Sequence, residues 1–272
     1  MLVCQISDLH IKVPGALSYG VVDAAAYLRR CVLHVLGLKQ RPDIVVVTGD
    51  LVDFGRSDEY AHLARLLRPL AMPVYLLPGN HDDREILRAS FPEHAWLRQT
   101  EGFIQYAIDA GPLRLLALDT VIPGQSGGEL CAKRLAWLDA RLSEAPGKPT
   151  VILMHHPPFA TGIGHMDRIG FANPQDLEAI VRRYSNIERI LCGHLHRPIQ
   201  VRFGGTLAST CPGPAHQVAL DLDPEAPSQF MLEPPAYQLH LWDPRAGLVS
   251  HTAYVGEFAG PYPFYHDGKL ID

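Results

Sequence analysis

Asp43-Ile44-Val45-Val46-Val47-Thr48-Gly49-Asp50 decides the fold. Ile44–Thr48 is an apolar run bounded by turn signals and reads as a short buried strand. Gly49 permits a tight turn, which leaves Asp50 at the strand's end. The same arrangement recurs along the chain. Leu2–Ser7 leads into Asp8-Leu9-His10, and Val74–Leu77 into Pro78-Gly79-Asn80-His81-Asp82. Val151–Met154 leads into His155-His156-Pro157-Pro158, and Glu188–Cys192 into Gly193-His194-Leu195-His196. Strand ends in an α/β sheet form a common rim where ligands sit. Five such ends would bring together two carboxylates, one carboxamide and several imidazoles, enough for two divalent metals.

Between these runs, helical spacing predicts helices over 21–38 (Val22, Ala26, Leu33, Leu36) and 58–70 (Tyr60, Leu63, Leu66, Leu67 inward). Further helices are expected over 130–142 and 174–184, the latter with Pro174 in its first turn. Strand–helix alternation implies an α/β fold with parallel strands joined by crossovers. Runs 103–108 and 113–118 read as a hairpin across Ala110-Gly111-Pro112, and 199–203 with 206–210 as a second. Residues 157–173 form a long Gly-, His- and Met-bearing loop, a predicted pocket wall. From Cys211 onward, prolines interrupt strand-like runs at 217–222, 229–233, 238–242 and 248–255. The expected organisation is a catalytic domain over 1–211 and a β-rich C-terminal cap over 212–272 that is not independent.

The 272 residues are 47% hydrophobic with a formal charge of −5, globular values that speak against wrapping nucleic acid or coating an anionic membrane. Five cysteines without a C-x-x-C pattern read as reduced core residues. There is no basic-then-apolar leader, and no run approaches the roughly 18 apolar residues of a membrane span. A cytoplasmic protein is expected.

Asp8 and His10 are alternate residues that would share a face in extended chain and chelate one ion. A carboxylate such as Asp50 can bridge two ions, and Asn80 offers a neutral oxygen. His194 and His196 could serve neighbouring ions, with His155 a further nitrogen. This mixed N/O set suits Mn, Fe, Co or Zn. Two dications against Asp8 and Asp50 leave a positive surplus that attracts a phosphate ester and lowers the pKa of bound water towards about 7. In-line phosphoryl transfer follows from such a pair. His81, next to Asn80, is placed to steady a phosphoryl oxygen or protonate the leaving alkoxide.

Each block also has a bland reading. A lone His-x-His is more often a polar surface pair, and Asp50 and Asn80 could be ordinary turn residues. Joint occurrence at five strand ends defeats these readings. His156 is expected to hydrogen-bond groups around the ligands rather than bind metal, and His34, His62, His94, His240 and His251 to be structural. Tyr19, His165 and Met166 lie in loops near the rim, where substrate contact and core packing explain them about equally. Arg197 could attract phosphate or cap a strand end.

The blocks D-x-H, G-D, G-N-H-[D/E], H and G-H-x-H, in that order across Asp8–His196, resemble the calcineurin-like metallophosphoesterase superfamily. Within it the chain is similar to class III cyclic nucleotide phosphodiesterases and bacterial glycerophosphodiesterases. That likeness rests on Ser7-Asp8, Gly79-Asn80-His81-Asp82-Asp83, Met154-His155-His156-Pro157-Pro158, Pro214-Ala215-His216-Gln217 and Ala259-Gly260-Pro261. The resemblance implies a four-layer α/β/β/α sandwich with the di-metal centre between its sheets. It implies Asp8, His10, Asp50 and His196 at one metal, and Asp50, Asn80, His155 and His194 at the other. His81 would lie near the substrate and His216 would line the pocket. C-terminal segments capping a neighbour's site imply a homo-oligomer, a dimer or larger. The enteric member's cysteine after the G-D block is Phe54 here and the tail has none, which excludes an inter-subunit disulfide there. The implied activity is hydrolysis of small phosphodiesters, of glycerophosphodiester or cyclic nucleotide type, by in-line attack of a metal-bound hydroxide. Phosphomonoester and phosphonate monoester hydrolysis compete on the same core, and a scaffold that has lost its activity is a rival from another class.

Overall fold

Every residue of Ile44–Thr48 is buried, as the unbroken apolar run requires. The computed structural model describes residues 1–271 and pairs this strand in parallel with Leu2–Ile6 on one side and Val74–Leu77 on the other. Ala236–Asp243 pairs antiparallel with Leu2–Ile6, and Gly247–Tyr254 with Ala236–Asp243, completing a five-stranded sheet. The C-terminal runs at 238–242 and 248–255 are therefore one hairpin hydrogen-bonded into the sheet. The second sheet has six strands, in the order Gln200–Phe203, Thr206–Thr210, Ile187–Cys192, Thr150–Met154, Leu113–Leu118, Tyr106–Ala110. Its two ends are the two hairpins expected from the sequence.

Alternation along Thr150–Met154 shows how the layers stack. Val151 and Leu153 pack in one apolar cluster with Val45 and Val47 of the first sheet. Ile152 and Met154 pack in another with Leu138 and Leu177, from the helices Ala132–Ser143 and Pro174–Val181. Successive strand residues face opposite sides, so this sheet is covered by the first sheet on one face and by helices on the other. The helices Ala24–Gly37 and Ser57–Leu67 bury Leu28, Val32, Leu63 and Leu66 in the first cluster. The partition fits the α/β/β/α layering that the resemblance implies.

Two short helices differ from the sequence expectation. Arg84–Ser90 starts where the Asp83 carboxylate accepts the Ile86 N–H at 2.8 Å, a cap worth about 1 kcal/mol. Gly164–Ile169 interrupts the stretch expected to be loop over 157–173, because Asp167 accepts from the Thr161 and Gly162 N–H groups and folds it back on itself. Among the described residues, no helix is long and apolar enough to cross a membrane.

Candidate metal centre

The chain leaves its strands in left-handed conformation. Asp8, His10, Asp50, His194 and His196 have φ of 58°, 45°, 49°, 72° and 52°. The expectation of an extended Asp8-Leu9-His10 is thus corrected: the two side chains converge through a left-handed turn. Such φ values cost about 1–2 kcal/mol per non-glycine residue and persist where surrounding bonds over-determine them. Here the Asp8 N–H donates to the Gly49 carbonyl (3.1 Å), the His10 N–H to the Asp50 carbonyl (3.0 Å), and the His194 N–H to the Asp8 carboxylate (2.9 Å). Two glycines permit the approach. A Cβ on Gly79 would lie 2.2 Å from Asp50 Oδ1, and one on Gly193 would lie 2.2 Å from Ser7 Oγ.

The side chains meet in two halves that share one oxygen. Asp50 Oδ2 is 3.6 Å from His10 Nε2 and 3.3 Å from His155 Nε2. In the first half, His196 Nε2 lies 3.3 Å from His10 Nε2 and 3.5 Å from Asp8 Oδ1. In the second, His155 Nε2 lies 3.1 Å from Asn80 Oδ1, and the His194 ring packs edge-on against the His155 ring at 5.1 Å. All seven residues expected to ligate metal are therefore brought together, six of them buried and Asn80 half-buried.

Hydrogen bonding fixes which nitrogens carry lone pairs. His155 Nδ1 faces the Thr48 carbonyl at 2.8 Å, and His196 Nδ1 faces the His216 carbonyl at 3.0 Å. A carbonyl only accepts, so both Nδ1 atoms donate and each neutral ring presents a bare Nε2. His10 Nδ1 likewise faces Asp53 Oδ1 at 3.3 Å. Lone pairs on His10 and His196 then point at one another across 3.3 Å, and His194 Nε2 is buried with no partner. A cation relieves this crowding and fills the missing bond, so the donor set fits divalent metal.

Without metal, protons do part of that work. Burial pushes the His155 imidazole down, but the Asp50 carboxylate beside it and Asp8 outweigh this and raise it to about 9. Burial pushes Asp50 up, yet His155, by charge and hydrogen bond, holds it well below the carboxylate range. Burial raises Asp8 to about 6, and burial with His10 lowers His196 to about 3.

His156 stands close enough to His155 and His194 to complete a triad of nitrogens. Its own bonds exclude ligation: Nε2 donates to the Ser126 carbonyl at 3.1 Å, and Nδ1 accepts from Thr120 Oγ1 at 2.7 Å. It braces the neighbouring segments, as expected.

Asp53 escaped the sequence reading. Its Oδ1 faces His10, its Oδ2 accepts from Lys12 Nζ at 2.9 Å, and its carbonyl accepts from His81 Nδ1 at 2.8 Å. Burial pushes its carboxyl up, but the His10 and Lys12 hydrogen bonds hold it at about 2. A carboxylate behind a histidine fixes the ring's tautomer and aim. Asp82, which the sequence places in the Gly79–Asp83 block without a role of its own, accepts from Gly79 N–H (2.8 Å), Leu51 N–H (3.0 Å) and Tyr60 O–H (2.8 Å), and so shapes the loop carrying Asn80.

His10, Asp50, Asn80, His81, His194 and His196 open onto a cavity of about 430 Å³. Tyr19, His165 and His216, expected near substrate, line it too, whereas Asp8 and His155 are buried outside its lining. Arg197 lies outside that lining; its Nη1 donates to the Val218 carbonyl (2.9 Å) and Glu233 (2.5 Å), and so ties the 217–233 segment to the strand end.

Residues 1–198 match the family described as calcineurin-like phosphoesterase. The chain is 41% identical, over the whole of both chains, to a probable glycerophosphodiester phosphodiesterase of Arcobacter nitrofigilis. It is 37% identical to a probable cyclic nucleotide phosphodiesterase of Rhodopseudomonas palustris, over 98% of this chain and 96% of that one. Among solved structures, a dimetal phosphatase from Danio rerio superposes with a TM-score of 0.65 at 17% identity, over 94% of this chain and 99% of that one, which shows a shared fold. Sequence match and fold agree, and the chain belongs to the calcineurin-like phosphoesterase family.

Proposed function

We propose that this chain is a two-metal phosphodiesterase acting on small diesters. One observation carries it: a single Asp50 oxygen stands within 3.6 Å of His10 Nε2 and 3.3 Å of His155 Nε2, midway between two sets of inward-facing donors. On this reading Asp8, His10, Asp50 and His196 hold one ion, and Asp50, Asn80, His155 and His194 the other. Bound divalent cations (Mn, Fe, Co or Zn) neutralise phosphoryl oxygens and lower the pKa of water. The His81 Nδ1–H is held by the Asp53 carbonyl, so Nε2 acts as donor to a phosphoryl oxygen or the leaving alkoxide only in the doubly protonated, imidazolium form of the ring. His216, Tyr19 and His165 contact the rest of the substrate. Residues 1–211 thus supply the ligands; from the expected cap, His216, Val218 and Ser228 to Phe230 line the pocket, whereas Ala236–Tyr254 belongs to the first sheet. No Lys or Arg among the described residues lines the cavity, which favours a singly charged diester over a doubly charged monoester. The names of the two relatives support diester chemistry.

Hydrolysis of bis(p-nitrophenyl) phosphate should vanish on chelation and return with Mn²⁺; full activity in stripped protein would overturn the proposal. Metal affinity should also rise with pH. His155 keeps its proton up to about 9, and the incoming cation must displace it. Uptake therefore strengthens by about tenfold per pH unit for each displaced proton, from about pH 6 to about pH 8. Competition with a chromophoric chelator reads this, and a flat profile contradicts it.

We also propose a homo-oligomer. The tail leaves Phe258, Tyr262, Phe264 and Tyr265 exposed at 65%, 76%, 80% and 63%, an apolar arm that a second copy would cover. Sedimentation should give a species of at least twice the 30.0 kDa chain mass, lost when the tail is removed after Val255; a monomer throughout rules it out.

A further inference from the structure

Phe230 reaches the cavity from the short strand Phe230–Met231, which pairs with Gln217–Val218. Its ring centre lies 4.9 Å from that of Tyr19 with planes 32° apart, and 5.5 Å from that of His216. His216 in turn sits 4.5 Å from His196 and 5.4 Å from His10. A continuous run of rings therefore leads from the candidate metal ligands to the outer wall of the cavity. Tyr19 is 55% exposed, and Met166, Ile169 and Val218 add apolar surface beside it.

What the wall lacks narrows its ligand. Among the described residues, Asp50 is the one carboxylate in the lining, and it belongs to the metal half; no Lys or Arg is among them. A quaternary ammonium is held by ring faces around the cation. Here the two rings lie against each other, with no slot between them. Near-parallel at 4.9 Å, the rings overlap in an offset stack, and the pair offers an outer ring face and ring edges as apolar surface, with Ser228 and Gln229 also in the lining to meet heteroatoms. Uncharged planar groups stack on such surfaces with little regard to identity.

We infer that Phe230, with Tyr19, selects diesters bearing a planar uncharged substituent, an aryl group or a nucleobase, which extends this ring stack while the phosphate sits over the metal ligands. The inference rests on the phosphodiesterase reading. Arg197 supports it structurally, since its bonds to Val218 and Glu233 hold the strand pair in place.

The test compares kcat/KM for cyclic adenosine monophosphate, glycerophosphocholine and glycerophosphoglycerol in metal-loaded wild type, Phe230→Ala and Phe230→Leu. The nucleotide should be preferred by wild type. Phe230→Ala should cut its kcat/KM by about tenfold, through KM, and leave glycerophosphoglycerol within about twofold. Phe230→Leu keeps apolar volume without a flat face and should resemble the alanine variant. Isothermal titration with adenosine monophosphate should show the same weakening, independent of turnover. An unchanged preference, an equal loss on all three substrates, or a loss confined to glycerophosphocholine overturns the inference. If wild type with bound metal hydrolyses none of the three, the phosphodiesterase reading itself fails.

Discussion

Asp50→Asn is expected to lose both cations and at least about 10³-fold in kcat/KM while remaining folded. Even supporting groups around a ligand cost about 10–100-fold in metal affinity when removed, and Asp50 lies between both donor sets. Its Oδ2 faces His10 and His155, and its Oδ1 accepts the His81 N–H at 3.0 Å. An amide oxygen can keep the His81 bond but not the charge that draws two dications together. Asparagine also tolerates the left-handed φ of 49° at this position, where alanine would be strained. Asp50→Ala should lose metal equally and fold less stably by about 1 kcal/mol or more. Metal content by emission spectroscopy, beside circular dichroism, separates the effects. Two equivalents of tightly held metal in Asp50→Asn would sink the shared-oxygen reading, whatever happened to turnover.

That oxygen could be found from sequence because the signal is local. An apolar run such as Ile44–Thr48 is buried wherever it sits, and a turn glycine next to an aspartate marks the rim. The same logic located the other four strand ends. Conformation at those ends was not legible. Asp8 and His10 adopt positive φ because the carbonyls of Gly49 and Asp50, some forty residues on, capture their N–H groups. Asp53 was missed for a similar reason. Its carboxylate matters through Lys12 and His10, and nothing in its own neighbourhood says so. Strand pairing is also non-local, so runs 238–242 and 248–255 were visible as strands while their place beside Leu2–Ile6 was not. Phe230 falls in the strand-like run 229–233, but a two-residue strand among prolines carries no periodicity to say that its ring faces the cavity. Left open by sequence alone, Arg197 is decided by its partners: it holds the pocket wall.

His81→Ala should keep both metals yet lower kcat by about 10²–10⁴-fold, the range of a lost general acid or phosphoryl contact. Its backbone N–H, which bonds Asp50, survives the substitution, so metal assembly is spared. What disappears is a ring anchored at Nδ1 by the Asp53 carbonyl, with a third of its side chain exposed to the cavity. The two roles open to that ring predict different substrate dependence. If Nε2 protonates the leaving alkoxide, a p-nitrophenolate, which leaves without help, should be far less affected than an alkyl alcohol. If Nε2 steadies a phosphoryl oxygen, both substrates should suffer alike. Asp50→Asn fails at metal assembly and must depress every substrate together, so only a metal-replete His81→Ala can show a leaving-group split. Full activity on an alkyl diester in that variant would remove His81 from the chemistry, and the acid would have to come from solvent at the metal rim.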